Sequence, residues 1–372
     1  MKTLFWLSAF LVFYTYVLYP GWLLLRFRLS PCPVRPTPFF PKVSILIAAR
    51  NEASHIENKL LNLQELHYPR ELIDTIVVSD GSTDQTNEIL RKYADSRIRS
   101  ILSPVHCGKA ESLNAALEVA GGEIVVFMDT RQSVSPDSVR MLVENFADLS
   151  VGCVSGELIL DAGQANSTQG VTSYWKMEKL LRYWESAADS TVGATGALYA
   201  ARRSLVPHLP PGLILDDVFI PMTIARRGSR VIFEPRALAW DNLPAEVHQE
   251  FRRKVRTLFG NYQLLRLAPW LLTADNRLRF EFLSHKLLRL AVPFALITMI
   301  VASAFLHGFV YRLPLAAATG VCCLGALAFV PVPTGITSRL SHLSLAFVLL
   351  NSAAVVAFWY FATGRRQVWV RG

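Results

Sequence analysis

The sequence predicts an α/β domain with a mostly parallel sheet and helices on both faces, flanked by transmembrane helices at both ends. Three observations predict it. Strand-like and helix-like segments alternate between residues 42 and 260 at the spacing of βαβ units. An uncharged apolar run lies near the N-terminus, and three more follow residue 288. Hydrophobic residues make up 52% of the chain and charged residues 18%, which is more apolar than an ordinary soluble enzyme.

The N-terminal run predicts a membrane anchor over residues 1–28. Residues 4–25 are uncharged and span about 33 Å as a helix, enough for the core of a bilayer. A cleaved signal peptide is the alternative, but the run is long for one and no small-x-small site follows it. Arg26 and Arg28 follow directly, so the positive-inside rule puts the next domain in the cytosol.

The C-terminal third predicts about three more spans within residues 289–372, at 290–310, 313–330 and 345–362, followed by a basic tail. Residues 261–288 mix apolar and basic side chains and predict helices lying in the membrane interface. Three later spans would leave the basic tail outside, against the charge rule. Either one segment is re-entrant, or the total of four spans is off by one.

Charge and cysteine content limit the kinds of partner that the sequence predicts. The net charge is +9, from 38 basic and 29 acidic residues, and much of the excess lies beside the membrane segments. We find no nucleic-acid module, so membrane lipids and a phosphorylated ligand are the predicted partners. The five cysteines have no metal-ligand spacing, which indicates free thiols. His106 and His248 have no ligand partners at useful spacing and are interpreted as ordinary histidines.

The middle domain opens with strands at residues 43–49, 73–79, 98–102 and 123–128. Helices are predicted at 53–66 and 110–119, with others starting after Ser82 and at Ser135. Asp80 and Asp129 each come just after a strand. Because ligands of parallel sheets bind at the carboxyl ends of the strands, these two acids are candidate binding residues.

Seven short motifs in the middle domain, taken together, resemble family 2 glycosyltransferases, in particular the membrane-embedded group related to cellulose and hyaluronan synthases. In chain order they are Ala49-Arg50-Asn51-Glu52, Ser79-Asp80-Gly81-Ser82-Thr83-Asp84, Gly108-Lys109-Ala110, Asp129-Thr130-Arg131, Gly193-Ala194-Thr195-Gly196-Ala197, Asp216-Asp217 and Arg253-Lys254-Val255-Arg256-Thr257. The resemblance implies a GT-A fold over residues 42–260, a nucleotide diphosphate sugar donor, a divalent metal (Mg²⁺ or Mn²⁺) and inversion at the anomeric carbon.

The resemblance also implies the donor site. Asp80 would hold the base and Glu52 the nucleoside, through hydrogen bonds to carboxylates. Two alternatives stay open: Asp80-Gly81-Ser82 as a plain turn and helix cap, and Lys109 as a solvated lysine rather than a phosphate ligand at a helix N-terminus. The implied donor-binding residues are Ala49, Asn51, Glu52, Asp80, Gly81, Lys109, Asp129 and Arg253.

The metal motif departs from the family pattern. Asp129 matches the first acid of the Asp-x-Asp motif that holds the metal, but Arg131 occupies the third position. A hard divalent ion takes several oxygen ligands, so diphosphate oxygens and waters would supply the others. Arg131 either neutralises phosphate charge or is an ordinary surface arginine.

The resemblance assigns the chemistry to Asp217 as general base, supported by Asp216, and to Arg256, which would stabilise the leaving diphosphate. The alternatives are an acid pair complementing a helix dipole and a basic cluster attracted to anionic lipids. Thr257 replaces the family's tryptophan that stacks on the acceptor, which weakens the case for a long processive polymer.

Gly193 to Ala197 resembles the acceptor loop of the family, with Thr195 and Gly196 as the implied acceptor-binding residues. Small residues there would let a sugar approach the backbone. A purely steric reason for the glycines is the alternative.

The predicted function is an inverting hexosyl- or N-acetylhexosaminyltransferase in the cell membrane, with a cytosolic catalytic domain and a membrane-proximal glycan or lipid-linked acceptor. The alternative is a nucleotide-sugar-binding or regulatory membrane protein whose catalysis is impaired. No candidate span carries the Asp, Glu or Lys that would mark a transport pathway, which disfavours a transporter. No Gly-x-Gly-x-x-Gly follows the first strand, which disfavours a dinucleotide-dependent enzyme. The sequence does not predict the sugar, the base or the oligomeric state.

Overall fold

The structure is a computed structural model that describes residues 1–95, 97–161, 169–242, 247–330 and 335–364. The predicted basic tail lies outside the described residues. Within them, eight strands form one sheet in the order β3-β2-β1-β4-β7-β6-β8-β5. The strands are β1 Val43–Ala49, β2 Ile73–Asp80, β3 Ile98–Ser103, β4 Ile124–Met128, β5 Ser133–Val134, β6 Val151–Asp161, β7 Leu198–Arg202 and β8 Arg230–Asn242.

The first half of the sheet is parallel, as the sequence predicts. β1 lies between β2 and β4, with Val43 opposite both Ile73 and Ile124, and β3 pairs with β2. β1 and β4 are almost entirely buried because helices cover both faces, which explains their unbroken apolar runs. The helices are α3 Ile56–Gln64, α4 Thr86–Lys92 and α5 Lys109–Val119.

The second half of the sheet is mixed. β7 runs antiparallel to β4 and to β6, β8 runs parallel to β6, and β5 runs antiparallel to β8. The sheet as a whole is therefore mostly parallel, and the predicted α/β class is confirmed. The helices of this half are α6 Ser138–Val143, α7 Gln169–Ala188, α8 Asp216–Arg226 and α9 Val247–Leu267.

The helix predicted to open at Ser135-Pro136 begins instead at Ser138. Residues 133–134 form the short strand β5, and the Ser135 N–H donates to the carbonyl of Leu238 in β8. This pairing keeps the chain extended for longer than the capping pattern predicts.

Four helices are long and apolar enough to cross a membrane: Lys2–Leu29, Arg279–Ala304, Phe309–Leu327 and Ile336–Ala362. Their number agrees with the sequence prediction, although the last one begins nine residues earlier than predicted. Lys2–Leu29 comprises α1 Lys2–Phe13, a π-type turn Tyr14–Leu18 and α2 Tyr19–Leu29. Arg279–Ala304 comprises α10 Arg279–Phe282, a π-type turn Leu283–Leu287 and α11 Leu288–Ala304; α12 is Phe309–Leu327 and α13 is Ile336–Ala362.

The region predicted as interfacial helices is divided differently. α9 continues through residue 260 to Leu267, and from Arg279 onward the chain already belongs to a candidate membrane helix. Two groups of apolar side chains pack the membrane helices on the domain. Tyr262 in α9 stacks on Phe361 in α13, and Tyr19 and Leu23 in α2 pack against Leu181 in α7. The domain is thus held against the membrane helices by apolar contacts and by hydrogen bonds from His285 and Arg289 to acids of α7.

Candidate active site

The carboxyl ends of β2, β1 and β4 meet at one edge of the sheet. Because the three strands are parallel neighbours, Asp80, Ala49 and Asp129 all lie at that edge. Ala49 itself is buried and serves as the end of the strand. The acids that the chain carries at this edge come from segments separated by up to 50 residues in sequence.

Lys109 lies between two of the candidate acids. Its ammonium is 2.9 Å from Asp129 Oδ1 and 3.1 Å from Asp216 Oδ1. Burial alone would lower the pKa of Lys109, but the charges of Asp129 and Asp216 raise it above its usual value. Lys109 therefore stays charged and holds together acids contributed by the two halves of the sheet. Its contact with Asp216 was not predicted.

Asp216 and Asp217 begin α8 and have different surroundings. Asp216 is buried and accepts a hydrogen bond of 2.9 Å from the Tyr199 hydroxyl as well as the Lys109 contact. Asp217 is half-buried. Burial and the neighbouring charge of Asp216 raise the pKa of Asp217 to about 6, although Lys109 acts in the opposite direction. A carboxylate with such a pKa is suited to take a proton near neutral pH.

Asp217 and Asp129 face the same point in space. A β-carbon placed on Gly196 would lie 3.4 Å from Asp217 Oδ2 and 3.8 Å from Asp129 Oδ2. The loop is fixed there because the Ala194 N–H donates to the Asp217 carbonyl and the Thr195 N–H donates to Ser155 Oγ. The predicted acceptor residues Thr195 and Gly196 thus border the space between the predicted metal ligand and the predicted base.

Asp80 is fully engaged by the loop that precedes α5. Its carboxylate accepts hydrogen bonds from the backbone N–H groups of Cys107 (2.7 Å) and Gly108 (2.9 Å), and His106 Nδ1 lies 2.6 Å from Oδ2. His106 is therefore a neighbour of the site and not an isolated histidine, contrary to our interpretation. No spacing rule could find it, because the contact joins the ends of two strands.

Gly81 allows the loop 106–108 to lie close to the end of β2. Its φ is +62°, and a β-carbon would lie 2.6 Å from the His106 backbone nitrogen. We predict that Gly81→Ala lowers the midpoint of thermal unfolding by about 5 °C or more, because the left-handed backbone and the clash act together. Gly212→Ala is the control, since Gly212 has φ +72° with open space around it. Equal shifts for both variants would show that the close approach has no energetic weight.

Asn51 and Glu52 connect the end of β1 to the turn after β2. Asn51 has φ +53°, and its side-chain oxygen accepts a hydrogen bond of 2.8 Å from the Thr83 N–H. The Glu52 N–H donates to Thr86 Oγ1. Burial raises the pKa of Glu52, with the charges of His55 and Arg131 acting against it. Both residues thus contact the segment that follows Asp80, and Glu52 lies within electrostatic range of Asp129.

Arg131 is paired with an acid that the sequence analysis missed. Its guanidinium binds both carboxylate oxygens of Asp241 in β8, at 2.9 and 2.5 Å. Asp241 is buried, also accepts from Gln132, and lies 3.7 Å from Arg253. Arg131 is therefore an exposed arginine whose guanidinium is held by a buried acid. The only sequence signal was an aspartate within an apolar strand, next to Trp240.

The basic cluster on α9 presents one face to the site. Arg253, Arg256, Gly260 and Gln263 recur at a spacing of three or four residues, which places them along one stripe. The Gln263 amide binds the backbone at Gly212 and Ile214, and a β-carbon on Gly260 would lie 2.7 Å from Leu215. Arg256 is exposed on that stripe, between the Asp241 contact of Arg253 and the loop that leads into α8.

Lys59 is a second missed residue. It is buried in α3, and its ammonium donates to the Gln132 carbonyl at 2.8 Å. Burial lowers the pKa of Lys59 to about 8, although Asp129 raises it. A lysine among Ile56, Leu60 and Leu63 on the apolar stripe of a helix was a usable signal.

Comparison with known proteins identifies a matching family model and several relatives of this chain. Residues 44–208 match the model of the family "Glycosyl transferase family 2". The probable glycosyltransferase YdaM of Bacillus subtilis is 25% identical over 258 residues, covering 65% of this chain and 60% of the relative. A poly-beta-1,6-N-acetyl-D-glucosamine synthase of Staphylococcus aureus (strain COL) is 24% identical over 247 residues, with the same coverage. The chain thus spans about 60% of the length of these relatives.

A solved structure extends the likeness to the whole chain. The mannosyltransferase PcManGT from Pyrobaculum calidifontis, in complex with GDP-Man and Mn²⁺, superposes with a TM-score of 0.74 at 24% identity, covering 98% of this chain and 100% of that one. At this identity the likeness establishes the fold. Residues 44–208 therefore match a glycosyl transferase family 2 domain, and the chain shares the GT-A-like fold of this mannosyltransferase.

Proposed function

We propose that this protein is an inverting glycosyltransferase that moves a sugar from a nucleotide diphosphate donor to a hydroxyl acceptor, with Asp217 as general base. One observation carries the proposal: Asp129 and Asp217, 88 positions apart, direct carboxylate oxygens at the same space beside Gly196. A donor diphosphate near Asp129 would leave its anomeric carbon facing Asp217. The family match and the polysaccharide synthase among the relatives support the reaction class.

The donor would lie along the carboxyl edge of the sheet. Asn51, Glu52 and the Asp80-Gly81 turn flank the nucleoside end, and Arg253 and Arg256 approach the diphosphate from α9. Asp80 would act mainly through the loop 106–108 that it holds, because its oxygens already accept hydrogen bonds there.

A divalent metal fits the residues if the diphosphate shares it. In the described ranges no three His, Cys, Asp or Glu side chains group as metal ligands. Asp129 Oδ1 is occupied by Lys109, while Oδ2 faces the open space beside Gly196. A Mg²⁺-type site often uses one or two carboxylates and completes its shell with phosphate oxygens and water. Asp129 would hold such an ion, which would neutralise charge on the leaving diphosphate.

The chemistry needs one proton transfer. The acceptor hydroxyl loses its proton to the Asp217 carboxylate while its oxygen bonds to the anomeric carbon. The bond from that carbon to the diphosphate oxygen breaks on the opposite side, and the electron pair leaves with the nucleoside diphosphate. Lys109 and Arg256 would face the departing negative charge. Asp216, fixed by Tyr199 and Lys109, would hold the start of α8 in place.

The rate should depend on pH through Asp217. Its pKa is raised to about 6, and it acts as a base only when ionised. The transfer rate should therefore rise with pH through about 6 and level off above it, with a value at pH 5 about tenfold below the plateau. Release of nucleoside diphosphate measured between pH 5 and 8 tests this. A profile that is flat from pH 5 to 7 would exclude Asp217 as the titrating base.

The engagement of Arg131 by Asp241 favours a second candidate, a nucleotide-sugar-binding protein with impaired catalysis. The second acid of the metal motif is absent, and its place is taken by an ion pair. Calorimetry on the purified chain distinguishes the candidates. Donor binding without hydrolysis or transfer under Mg²⁺ or Mn²⁺ would support the binding protein.

The protein is proposed to work at the cytosolic face of the cell membrane, with four helices available to span it. The donor sugar is proposed to be a hexose or N-acetylhexosamine, by analogy with the named relative and the GDP-Man complex. A panel of nucleotide sugars, with released nucleoside diphosphate as the readout, would identify the donor. Absence of release with every member of the panel would count against the enzyme.

A further inference from the structure

The segment that follows β4 carries an arginine at the position where the metal motif of the family has its second acid. Arg131 comes two residues after Asp129, so the Cα atoms of the two residues are at most about 7 Å apart. The side chain of Arg131 is 41% exposed, and Asp129 and Glu52 both lie within electrostatic range of its guanidinium. Arg131 therefore lies at the carboxyl edge of the sheet, where the donor is proposed to bind. The proposed reaction does not use it.

The pairing of β5 with β8 brings Arg131 to its partner. Ser133 lies opposite Trp240 in antiparallel register, so the residues just before Ser133 run alongside those just after Trp240. Arg131 and Gln132 thereby meet Asp241. The position of the guanidinium thus follows from strand register.

Asp241 holds the guanidinium in one orientation. Its side chain is 1% exposed, and it accepts hydrogen bonds from Arg131 Nε at 2.9 Å and from Nη2 at 2.5 Å. Two parallel bonds between a planar guanidinium and a carboxylate fix both position and direction. Breaking the pair would leave a buried charge without a partner, which is costly. We therefore expect the pair to stay formed when a ligand binds.

The bonds to Asp241 use only one edge of the guanidinium, the edge formed by Nε and Nη2. Within the described ranges, Nη1 donates to no other residue. Because the group is planar, its second edge, formed by Nη1 and Nη2, lies away from the carboxylate. That edge has the fork of N–H groups that binds phosphate oxygens in pairs. Arg131 thus has a fixed and available donor edge beside Asp129.

Arg253 approaches the same acid from α9. Its Nη1 is 3.7 Å from Asp241 Oδ2, the oxygen that Arg131 Nη2 contacts. Arg253 also contacts Glu250 at 2.8 Å. Two arginines from distant segments thus converge on one buried carboxylate. A diphosphate carries adjacent anionic groups, so two neighbouring guanidinium groups suit it well.

We propose that Arg131 binds the diphosphate of the donor directly and gives the protein an affinity for nucleoside diphosphates that requires no divalent metal. The arginine supplies positive charge at the place where an acid would recruit it through an ion. A metal at Asp129 would add to this binding and would not be needed for it. The inference rests on the proposed function for the identity of the ligand as the donor.

Calorimetry on the full-length protein in detergent, with EDTA present, tests the inference. The probes are UDP, GDP, ADP, CDP and dTDP, each compared with its own nucleoside. For the pair that binds best, the diphosphate should bind at least tenfold more tightly than the nucleoside. Arg131→Gln should lower this ratio about tenfold, as expected when a charged hydrogen-bond donor is lost. Because the nucleoside is the reference, damage to the base site leaves the ratio unchanged.

Arg99→Gln is the matched control. Arg99 is 44% exposed and is also held by an aspartate of the neighbouring strand, Asp74, but at the amino end of the sheet. This variant should leave the ratio within twofold of the wild-type value.

Arg131→Lys distinguishes ligand binding from a purely structural pair. A lysine keeps the ion pair with Asp241 and so keeps β5 tied to β8, but its single ammonium has no second edge for phosphate. The ratio should therefore fall about as far as in Arg131→Gln. A wild-type ratio in folded Arg131→Lys would show that the pair is structural and would overturn the inference.

Two further results would overturn it. One is a wild-type ratio in folded Arg131→Gln. The other is binding of nucleoside diphosphates by the wild type only when Mn²⁺ is present, a result that would leave the proposed function standing. Sugar transfer is measured in parallel. Metal-free binding that depends on Arg131, without transfer of any sugar, would support the inference and refute the glycosyltransferase.

Discussion

Asp217→Asn is expected to lower kcat for sugar transfer by about 10²–10⁴-fold while donor affinity changes little, because the variant keeps the shape of the side chain and loses only the base. Released nucleoside diphosphate measures the rate, and calorimetry measures donor binding. Asp275→Asn is the matched control, since Asp275 is an exposed acid that contacts only Arg226 among the described residues. Turnover at the wild-type rate in Asp217→Asn would refute the assignment.

The Asp217 variant should remain folded. The acceptor loop contacts Asp217 through its backbone carbonyl, which accepts from Ala194, and this bond does not involve the side chain. Removing a raised-pKa carboxylate from a half-buried position should also relieve repulsion from Asp216. Thermal unfolding of the variant at or above the wild-type midpoint would separate a chemical defect from a structural one.

Arg256→Gln is expected to lower kcat by about 10²–10³-fold, the usual cost of removing one donor that faces developing negative charge. Arg256 is exposed on the stripe of α9 that carries Arg253 and Gly260, so its loss should not disturb packing. The dependence of the transfer rate on Mn²⁺ concentration should become steeper, because the ion would then neutralise more of the negative charge on the leaving diphosphate. Rates at several Mn²⁺ concentrations measure this.

Arg252→Gln is the control for Arg256. Arg252 is an exposed arginine on the same helix, four residues before Arg256, and contacts His248. If both variants lose activity equally, the basic cluster acts through the membrane surface and not through the diphosphate. Unchanged activity in Arg256→Gln would transfer the role to Arg253, which the structure places beside Asp241.

The parallel half of the fold was accessible from sequence because its strands are buried on both faces. β1 and β4 show as unbroken apolar runs, and Asp80 and Asp129 mark the carboxyl ends of β2 and β4. The strand pairing of the mixed half could not be predicted from the sequence. β7 is five residues long and pairs with strands about 70 and 45 positions earlier in the chain, so no local periodicity specifies its neighbours.

Part of the candidate site could likewise be predicted from the sequence, and part could not. The motifs named Asp129 and Asp217, which the fold brings together beside Gly196. They gave no indication of Asp241, which sits 110 positions from its partner Arg131. They assigned Lys109 to phosphate but gave no indication that it would also bridge Asp129 and Asp216. Ion pairs of this kind depend on distances that the tertiary structure alone determines.

By itself, the sequence determined the α/β class, the four apolar helices and the order of the candidate site residues. These are local properties, since apolar periodicity, helix length and turn chemistry act over a few residues. Only the tertiary structure decided that Arg131 pairs with Asp241 and that His106 meets Asp80. Those contacts join distant segments. They exist because apolar packing of helices on the sheet brings charged side chains close enough for Coulomb forces to act.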